Sequence, residues 1–211
     1  MINRTPQVDI KKSDSYNYLD ILRKGNHMRV ISGTANRRRL VTPKGLKVRP
    51  TTDRIKETLF NILAPRIADV MMLDLFAGSG AIGIEALSRG AAGCVFVDND
   101  RDSMRCIKEN LESCRLTDRA QTVFSDATRA VSGLIAQKKR FDIIFMDPPY
   151  GRELEKEVLC AMKDELLAQE GLIIVEAEAD TGFEYLEELG LTAVRVKEYG
   201  SNKHVFIERK H

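Results

Sequence analysis

Short apolar runs and amphipathic stretches alternate along most of this chain. The apolar runs, rich in Val, Ile, Leu and Phe, predict buried strands near residues 70–75, 93–97, 120–124, 141–146 and 171–176. Stretches with apolar residues at helical spacing predict helices near residues 80–89, 101–114, 127–137 and 153–168. Such alternation is typical of an α/β protein whose parallel, doubly wound sheet has right-handed crossovers.

Both ends of this pattern depart from strict alternation. Residues 191–199 and 204–209 are strand-like and are joined by Gly200-Ser201-Asn202-Lys203, which predicts a closing hairpin with one antiparallel strand. Upstream, residues 29–33 and 39–41 predict two short strands around a basic turn. Thr51 or Thr52 can then cap a helix over about 53–63, and its apolar stripe should pack this hairpin arm onto the core. The stripe comprises Ile55, Leu59, Ile62 and Leu63.

The pattern therefore divides the chain into three parts. Residues 1–27 are polar and form an extension whose origin the sequence leaves open, so they are kept out of the fold interpretation. Residues 28–66 are expected to form a basic arm, and residues 67–211 the α/β domain.

Composition narrows the class of protein. A chain of 211 residues with 43% hydrophobic content is long enough to bury one sizeable core. The cysteines form no C-x-x-C pair and only His27, His204 and His211 are available beside them, so we expect no metal site, reduced thiols and a cytoplasmic location. No signal peptide or membrane-length apolar run is present, and no membrane association is expected.

Charge is distributed unevenly. Residues 28–66 contain ten Lys or Arg against two acidic residues, a net charge of +8, although the whole chain carries only +2. Such a block is typical of a surface that contacts a polyanion, and a merely solvated face is the alternative.

The tetrapeptide Asp147-Pro148-Pro149-Tyr150, here called the DPPY segment, follows an apolar strand. The two prolines stiffen the backbone and remove two N–H donors. A carboxylate, the Pro148 carbonyl and an aromatic face are thus presented together. The two acceptors could hold the exocyclic amine of a nucleobase and favour its attack on a methyl donor, while Tyr150 stacks on the base. An ordinary strand-ending turn is the alternative.

A glycine turn, residues 76–80, joins the first strand to the next helix. Gly78, Gly80 and Gly83 match G-x-G-x-x-G, which alone would suggest a dinucleotide. Asp74, however, would place a carboxylate near the ligand. S-adenosylmethionine, with its ammonium and sulfonium charges, suits such a site better than a pyrophosphate does.

Two further acidic residues end strands at the same predicted edge. Asp98 lies 20 residues after Gly78, where an acidic side chain can accept from both ribose hydroxyls. Asp126 follows the third strand and could accept from an adenine amino group. The alternative for each is a helix cap: Asp98 or Asp100 for the helix near 101, and Asp126 for the helix near 127.

In this order the glycine turn, Asp98, Asp126 and the DPPY segment resemble a class I S-adenosylmethionine-dependent methyltransferase that methylates amines. The N-terminal part resembles, more narrowly, the RsmD family. The motifs that carry this second resemblance are Ile31-Ser32-Gly33, Arg38-Arg39-Leu40, Pro43-Lys44-Gly45, Arg49-Pro50-Thr51-Thr52-Asp53-Arg54 and Phe60-Asn61-Ile62-Leu63. That family methylates N2 of one guanine, conventionally position 966, in bacterial 16S ribosomal RNA. The resemblance spans residues 28 to about 209 and implies the class I methyltransferase sheet.

The resemblance also assigns roles to residues. The DPPY residues Asp147, Pro148, Pro149 and Tyr150 would hold the guanine amine, which must be unpaired or flipped to be reached. The expected S-adenosylmethionine-binding residues are Asp74, Phe76, Ala77, Gly78, Ser79, Gly80, Asp98, Asn99, Asp126 and Ala127. The expected contacts to 16S ribosomal RNA, in a small subunit or an assembly intermediate, are Arg37, Arg38, Arg39, Arg49 and Arg54.

Three other functions remain open at the level of sequence. A DNA adenine-N6 or cytosine-N4 methyltransferase would use the same chemical groups, but its usual large target-recognition domain has no room here. A dinucleotide-dependent oxidoreductase would be protected against heat by NADH rather than by S-adenosylmethionine. A nonenzymatic RNA-binding assembly factor would retain the cleft without turnover.

Overall fold

Seven strands form one sheet in the computed structural model, which describes residues 28–43, 53–162 and 165–210. The strands are β1 Met71–Leu75, β2 Gly93–Asp98, β3 Ala120–Phe124, β4 Phe141–Met146, β5 Leu167–Glu178, β6 Leu191–Tyr199 and β7 Asn202–Arg209. The helices are α1 Asp53–Leu63, α2 Ala81–Ser88, α3 Arg101–Cys114, α4 Ala127–Ala136 and α5 Leu154–Met162. Short 3-10 helices at Ala64–Arg66, Thr117–Arg119 and Glu184–Leu189 complete the described elements.

The strand order is β3-β2-β1-β4-β5-β7-β6. Strands β1 to β5 pair in parallel, whereas β7 pairs antiparallel with both β5 and β6. Strand β7 therefore runs against all the others, which confirms the predicted mostly parallel sheet with one antiparallel strand near the C-terminus.

Apolar cores cover both faces of the sheet because alternate strand residues point to opposite sides. Met72 packs in the core that contains Leu59, Phe60 and residues of α2 and α3. Leu73 packs in the other core, with residues of α4 and α5. The first core also includes Val30, so residues 28–43, here called the N-terminal segment, are packed onto the sheet.

The predicted hairpin arm contains less strand structure than the sequence pattern indicated. Arg29 and Arg39 form one isolated antiparallel bridge instead of two short strands. The intervening backbone folds into turns, with Asn36 N–H donating to Gly33 O and Arg38 N–H to Ala35 O. Helix α1 forms as predicted, with Leu59 and Leu63 buried. The suggested caps Thr51 and Thr52 lie outside the described residues, as do residues 1–27.

Two predicted boundaries near the C-terminus are wrong. The helix expected over 153–168 is assigned only over Leu154–Met162, and Leu167 already belongs to β5. The apolar Leu166 and Leu167 extend the helical pattern, but their backbone joins the sheet: Leu166 O accepts from Phe141 N–H, and Leu167 pairs with Phe141. The final strand begins at Asn202 rather than His204, because Tyr199 and Asn202 pair directly across a two-residue loop.

The division into an arm over 28–66 and a domain over 67–211 stays a prediction. Within the described residues, no helix is both long and apolar enough to cross a membrane.

Candidate active site

A cleft of about 930 Å³ lies at the carboxyl ends of the parallel strands. The glycine turn follows β1, Asp98 ends β2, and the DPPY segment follows β4. The predicted site residues that line the cleft are Asp74, Phe76, Ala77, Gly78, Ser79, Asp98, Asn99, Ala127, Asp147, Pro148, Pro149 and Tyr150. The structure thus brings together the two motifs that lie about 70 positions apart in the sequence.

The glycine turn leaves space for a ligand. Gly78 and Gly80 have φ values of 56° and 77°, in the left-handed region that glycine adopts readily. A Cβ on Gly78 would meet no atom within 4 Å, so the space over this residue is open. Gly80 is buried and does not line the cleft, and its role is to begin α2.

Asp74 is a buried carboxyl group that accepts a hydrogen bond of 2.9 Å from Gly83 N–H in the first turn of α2. Burial raises the pKa of Asp74 to about 8, and the nearby Asp98 carboxylate acts in the same direction. A cationic ligand in the cleft would stabilise the ionised form. The environment of Asp74 therefore fits an ammonium or sulfonium ligand better than a phosphate.

Asp98 links the end of β2 to the glycine turn. Its carboxylate accepts from Gly78 N–H at 2.7 Å and from Asp100 N–H at 2.8 Å. Burial raises the pKa of Asp98 above its usual range. Asp100, rather than Asp98, caps α3 by accepting from Ser103 N–H at 2.9 Å. Asp98 lines the cleft, and a ribose contact by Asp98 stays a prediction.

Asp126 occupies a different position from the other predicted carboxylates. It is exposed and caps α4 by accepting from Arg129 N–H at 2.9 Å, and this bond holds the pKa of Asp126 below its usual range. The neighbouring Ser125 and Ala127 line the cleft, whereas Asp126 does not. The capping interpretation is thus observed, and an adenine contact by Asp126 stays a prediction.

The DPPY segment presents its groups at the open side of β4. Asp147 is half-buried, Pro148 is buried, and Tyr150 is 42% exposed. Burial raises the pKa of Asp147 well above its usual range, with further contributions from the carboxylates of Glu176 and Asp74. Asp74, Asp147 and Glu176 therefore place carboxyl groups close together in the cleft. Ionising them is unfavourable unless a cation or hydrogen-bond donors are bound beside them.

The lining residues that the sequence analysis missed include three polar side chains of the C-terminal strands: Glu176 near the end of β5, Tyr199 at the end of β6 and Asn202 at the start of β7. Asn202 Nδ2 donates to Tyr150 Oη at 2.5 Å and to Glu176 Oε1 at 3.3 Å. Glu176 follows an apolar strand run, as Asp98 and Asp147 do, so the same strand-end pattern could have identified it. Tyr199 and Asn202 carry no comparable local signal.

The predicted RNA-binding arginines are distributed around the N-terminal segment and α1. Arg37, Arg38, Arg39 and Arg54 are exposed, whereas Arg49 lies outside the described residues. The N-terminal segment itself reaches the cleft: Met28, Thr42 and Pro43 line it, and Ser79 Oγ lies 3.2 Å from Met28 Sδ. RNA contact by these arginines stays a prediction.

In residues 28–43, 53–162 and 165–210, no group of three or more His, Cys, Asp or Glu side chains is arranged to hold a metal ion. Cys94, Cys106 and Cys114 are buried free thiols and Cys160 is an exposed one.

The chain is similar to proteins of known sequence over most of its length. It is 42% identical to Ribosomal RNA small subunit methyltransferase D of Escherichia coli strain K12 over 167 residues, which cover 76% of this chain and 82% of that protein. The protein of the same name from Haemophilus influenzae is 34% identical over 154 residues, which cover 72% of this chain and 80% of that protein.

Solved structures give the same result. The Escherichia coli protein yhhF, described as a methyltransferase, superposes with a TM-score of 0.74 at 38% identity, covering 87% of this chain and 98% of that chain. SMU.776, solved in complex with S-adenosylhomocysteine, has a TM-score of 0.61 at 19% identity over 72% of this chain and 48% of its own, and shows a shared fold alone.

The family model described as Conserved hypothetical protein 95 matches residues 28–208, which include the N-terminal segment, the glycine turn and the DPPY segment. Together with the relatives above, this match confirms the resemblance drawn from the sequence motifs. The chain belongs to the Conserved hypothetical protein 95 family, the RsmD family of methyltransferases, and has its class I methyltransferase fold.

Proposed function

We propose that this chain uses S-adenosylmethionine to methylate the exocyclic N2 amine of a guanine in 16S ribosomal RNA. The names of the relatives support methyl transfer and ribosomal RNA as the substrate class. Guanine N2, and position 966 in particular, come from the family resemblance. A substrate in the small ribosomal subunit or its assembly intermediate would place the enzyme in the cytoplasm.

One observation carries the proposal: the glycine turn and the DPPY segment line the same cleft. When bound, S-adenosylmethionine supplies an activated methyl group on a sulfonium. Asp74 and Asp98, at the ends of β1 and β2, would hold its positively charged and ribose parts. The buried Asp74 carboxyl supports a cationic ligand because burial disfavours its ionised form and a bound cation would stabilise that form.

The DPPY segment would position the amine. The Asp147 carboxylate and the Pro148 carbonyl would accept its two N–H bonds, and the Tyr150 ring would stack on the base. Ionised Asp147 accepts better than its neutral form, so a bound cation that lowers its pKa would also prepare it for this role. After transfer the amine proton becomes acidic, and Asp147 or water can accept it.

The test is incubation of the protein with labelled S-adenosylmethionine and small ribosomal subunits that lack the modification, followed by mapping of the labelled nucleotide. We expect label on one guanine. Label on DNA adenine or cytosine, protection of the fold by NADH instead of S-adenosylmethionine, or RNA binding without any transfer would each support one of the other functions and contradict this one.

Asp147→Ala should abolish transfer and leave S-adenosylmethionine affinity within a few fold, because Asp147 is assigned to the amine. Asp118→Ala is the matched control. Asp118 is exposed on the 3-10 helix that precedes β3, at the opposite edge of the sheet from the cleft. Wild-type activity in Asp147→Ala would defeat the assigned role.

A further inference from the structure

The cleft extends past the DPPY segment onto the C-terminal hairpin. The β4–β5 register pairs Met146 with Val175, so the next step along both strands brings Asp147 beside Glu176. Glu176 in turn pairs with His204 of β7, and Tyr199 pairs with Asn202. The carboxyl edge of the sheet thus runs from Asp147, which would hold the amine, to the C-terminal hairpin. Glu176, Tyr199 and Asn202 lie along this edge and have no role in the proposed methyl transfer.

Glu176 is held as a fixed acceptor. It is only 5% exposed, and its two oxygens receive hydrogen bonds from Asn202 Nδ2 at 3.3 Å and from His204 Nε2 at 3.1 Å. A carboxylate has about four acceptor positions, so these two donors leave capacity for a further N–H. The same Asn202 amide contacts Tyr150 Oη, which links the position of Glu176 to the DPPY segment.

Tyr199 supplies a hydroxyl group that the described protein does not use. Its Oη is buried and has no hydrogen-bond partner among the described residues, although the side chain lines the cleft. The ring packs edge-on against the His204 ring, with centroids 4.9 Å apart. Burying a hydroxyl without a partner is unfavourable, and a ligand acceptor would satisfy it. Because the Oη is closed off from solvent in this structure, the Tyr199 ring must shift slightly when the base binds.

These groups match one nucleobase. Beside its N2 amine, guanine carries an N1–H donor and then an O6 acceptor, whereas adenine carries an acceptor at N1 beside its amine. Along the sheet edge the cleft offers the acceptor Asp147, the acceptor Glu176 and the donor Tyr199. An adenine in this orientation would place its N1 lone pair against the Glu176 carboxylate.

Building on the proposed function, we propose that Glu176 and Tyr199 select guanine by reading its Watson–Crick edge. Glu176 accepts the N1–H, and the Tyr199 hydroxyl donates to O6. Asn202 and His204 are positioning residues that hold the Glu176 carboxylate. Selectivity for guanine then comes from Glu176 of β5 and Tyr199 of β6. The DPPY segment by itself would bind the exocyclic amine of any nucleobase that has one.

The test combines protein variants with a base analogue. Small subunits are reconstituted with 16S RNA that carries either guanine or 2-aminopurine at the nucleotide mapped above; 2-aminopurine keeps the 2-amine but lacks O6 and the N1 hydrogen. We expect Tyr199→Phe to lower kcat/KM on guanine about tenfold, as for loss of one hydrogen bond, and to leave the wild-type rate on 2-aminopurine unchanged. Glu176→Gln should lower the rate on guanine and raise that on 2-aminopurine, because its amide can donate to the unprotonated N1.

Tyr185→Phe is the matched control. Tyr185 also has a buried hydroxyl without a partner among the described residues, but it does not line the cleft, so its loss should not change the ratio of the two substrates. Tyr199→Phe should melt at or above the wild-type temperature, because the change removes a buried hydroxyl that has no partner in the described part of the chain. Its S-adenosylmethionine affinity should equal that of the wild type, which separates base reading from folding.

The outcomes distinguish the two proposals. Suppose that the wild type is active and that Tyr199→Phe and Glu176→Gln lower the methylation rates on guanine and on 2-aminopurine equally. This result would overturn the base-reading role and leave the proposed function standing. A wild type that methylates no guanine would overturn the proposed function and, with it, guanine selection.

Discussion

Glu85 of α2 and Lys56 of α1 form a buried ion pair beside the N-terminal segment, and replacing the two partners should have unequal effects. Both residues are almost fully buried, at 0% and 1% exposure. Glu85 Oε2 accepts from Ile31 N–H at 2.7 Å and lies 3.2 Å from Lys56 Nζ. Glu85 Oε1 accepts from Ser32 N–H at 3.0 Å and from Arg89 Nε at 2.8 Å.

Glu85→Gln keeps the shape but removes the charge and one acceptor. In either orientation its amide NH₂ faces two donors, and Lys56 is left buried without an anion. Removing one partner of a buried pair costs about 3–5 kcal/mol of the free energy of unfolding. For a protein of this size that corresponds to a fall of about 6–20 °C in Tm.

Lys56→Met should cost less. Glu85 keeps Arg89 and two backbone N–H donors, and burial already lowers the pKa of Lys56, so the charge is costly to hold there. The lost interaction is then mainly the Lys56 hydrogen bond to Arg29 O, worth about 1–3 kcal/mol if that carbonyl stays unpaired. The double variant should lose less stability than the sum of the single ones, because Lys56 is no longer left buried without its anion.

Urea unfolding followed by circular dichroism measures all three free energies, with the exposed Glu188→Gln as the control that should change stability by less than about 0.5 kcal/mol. Equal losses for Glu85→Gln and Lys56→Met, or additive losses in the double variant, would refute this account of the pair.

Two further predictions concern charge at the cleft and on the arm. Because the folded pKa of Asp74 is raised to about 8 from 3.8, the native state holds an extra proton between these values, and the free energy of unfolding should fall as pH rises. Between pH 6 and 8 the wild type should lose on the order of 2 kcal/mol more than Asp74→Asn; parallel urea-unfolding profiles would contradict the assigned burial effect. Reversing Arg37–Arg39 to Glu should reduce the slope of log affinity for RNA against log salt by about 2, whereas reversing Lys138–Lys139, between α4 and β4, should not. Equal slopes would place Arg37–Arg39 away from the RNA.

Local sequence patterns predicted the sheet and the two motifs of the cleft because parallel strands place their carboxyl ends at one edge. An apolar run followed by a glycine turn or an acidic residue marks such an end, as at Gly78, Asp98 and Asp147. The same pattern does not separate a ligand contact from a helix cap. Asp98 and Asp126 look alike in the sequence, yet only Asp98 lines the cleft.

The predicted boundaries of helices and strands were wrong where backbone hydrogen bonds, and not the spacing of apolar side chains, determined the structure. Leu167 continues a helical stripe but pairs with Phe141 in the sheet. Arg29 and Arg39 have strand-like neighbours but form a single bridge, because the backbone between them hydrogen-bonds within its own turns.

By itself the sequence determined the family, the alternation of strands and helices, and the two motifs of the cleft, since each depends on neighbours close along the chain. Tertiary structure alone decided that Tyr199 and Asn202 line that cleft with Tyr150. They meet because β7 inserts between β5 and β6 and brings residues from distant segments to one edge. Burial of Glu85 with Lys56 is likewise a tertiary outcome, because on an isolated helix either charge would remain in water, and only packing of the N-terminal segment onto α2 excludes that water.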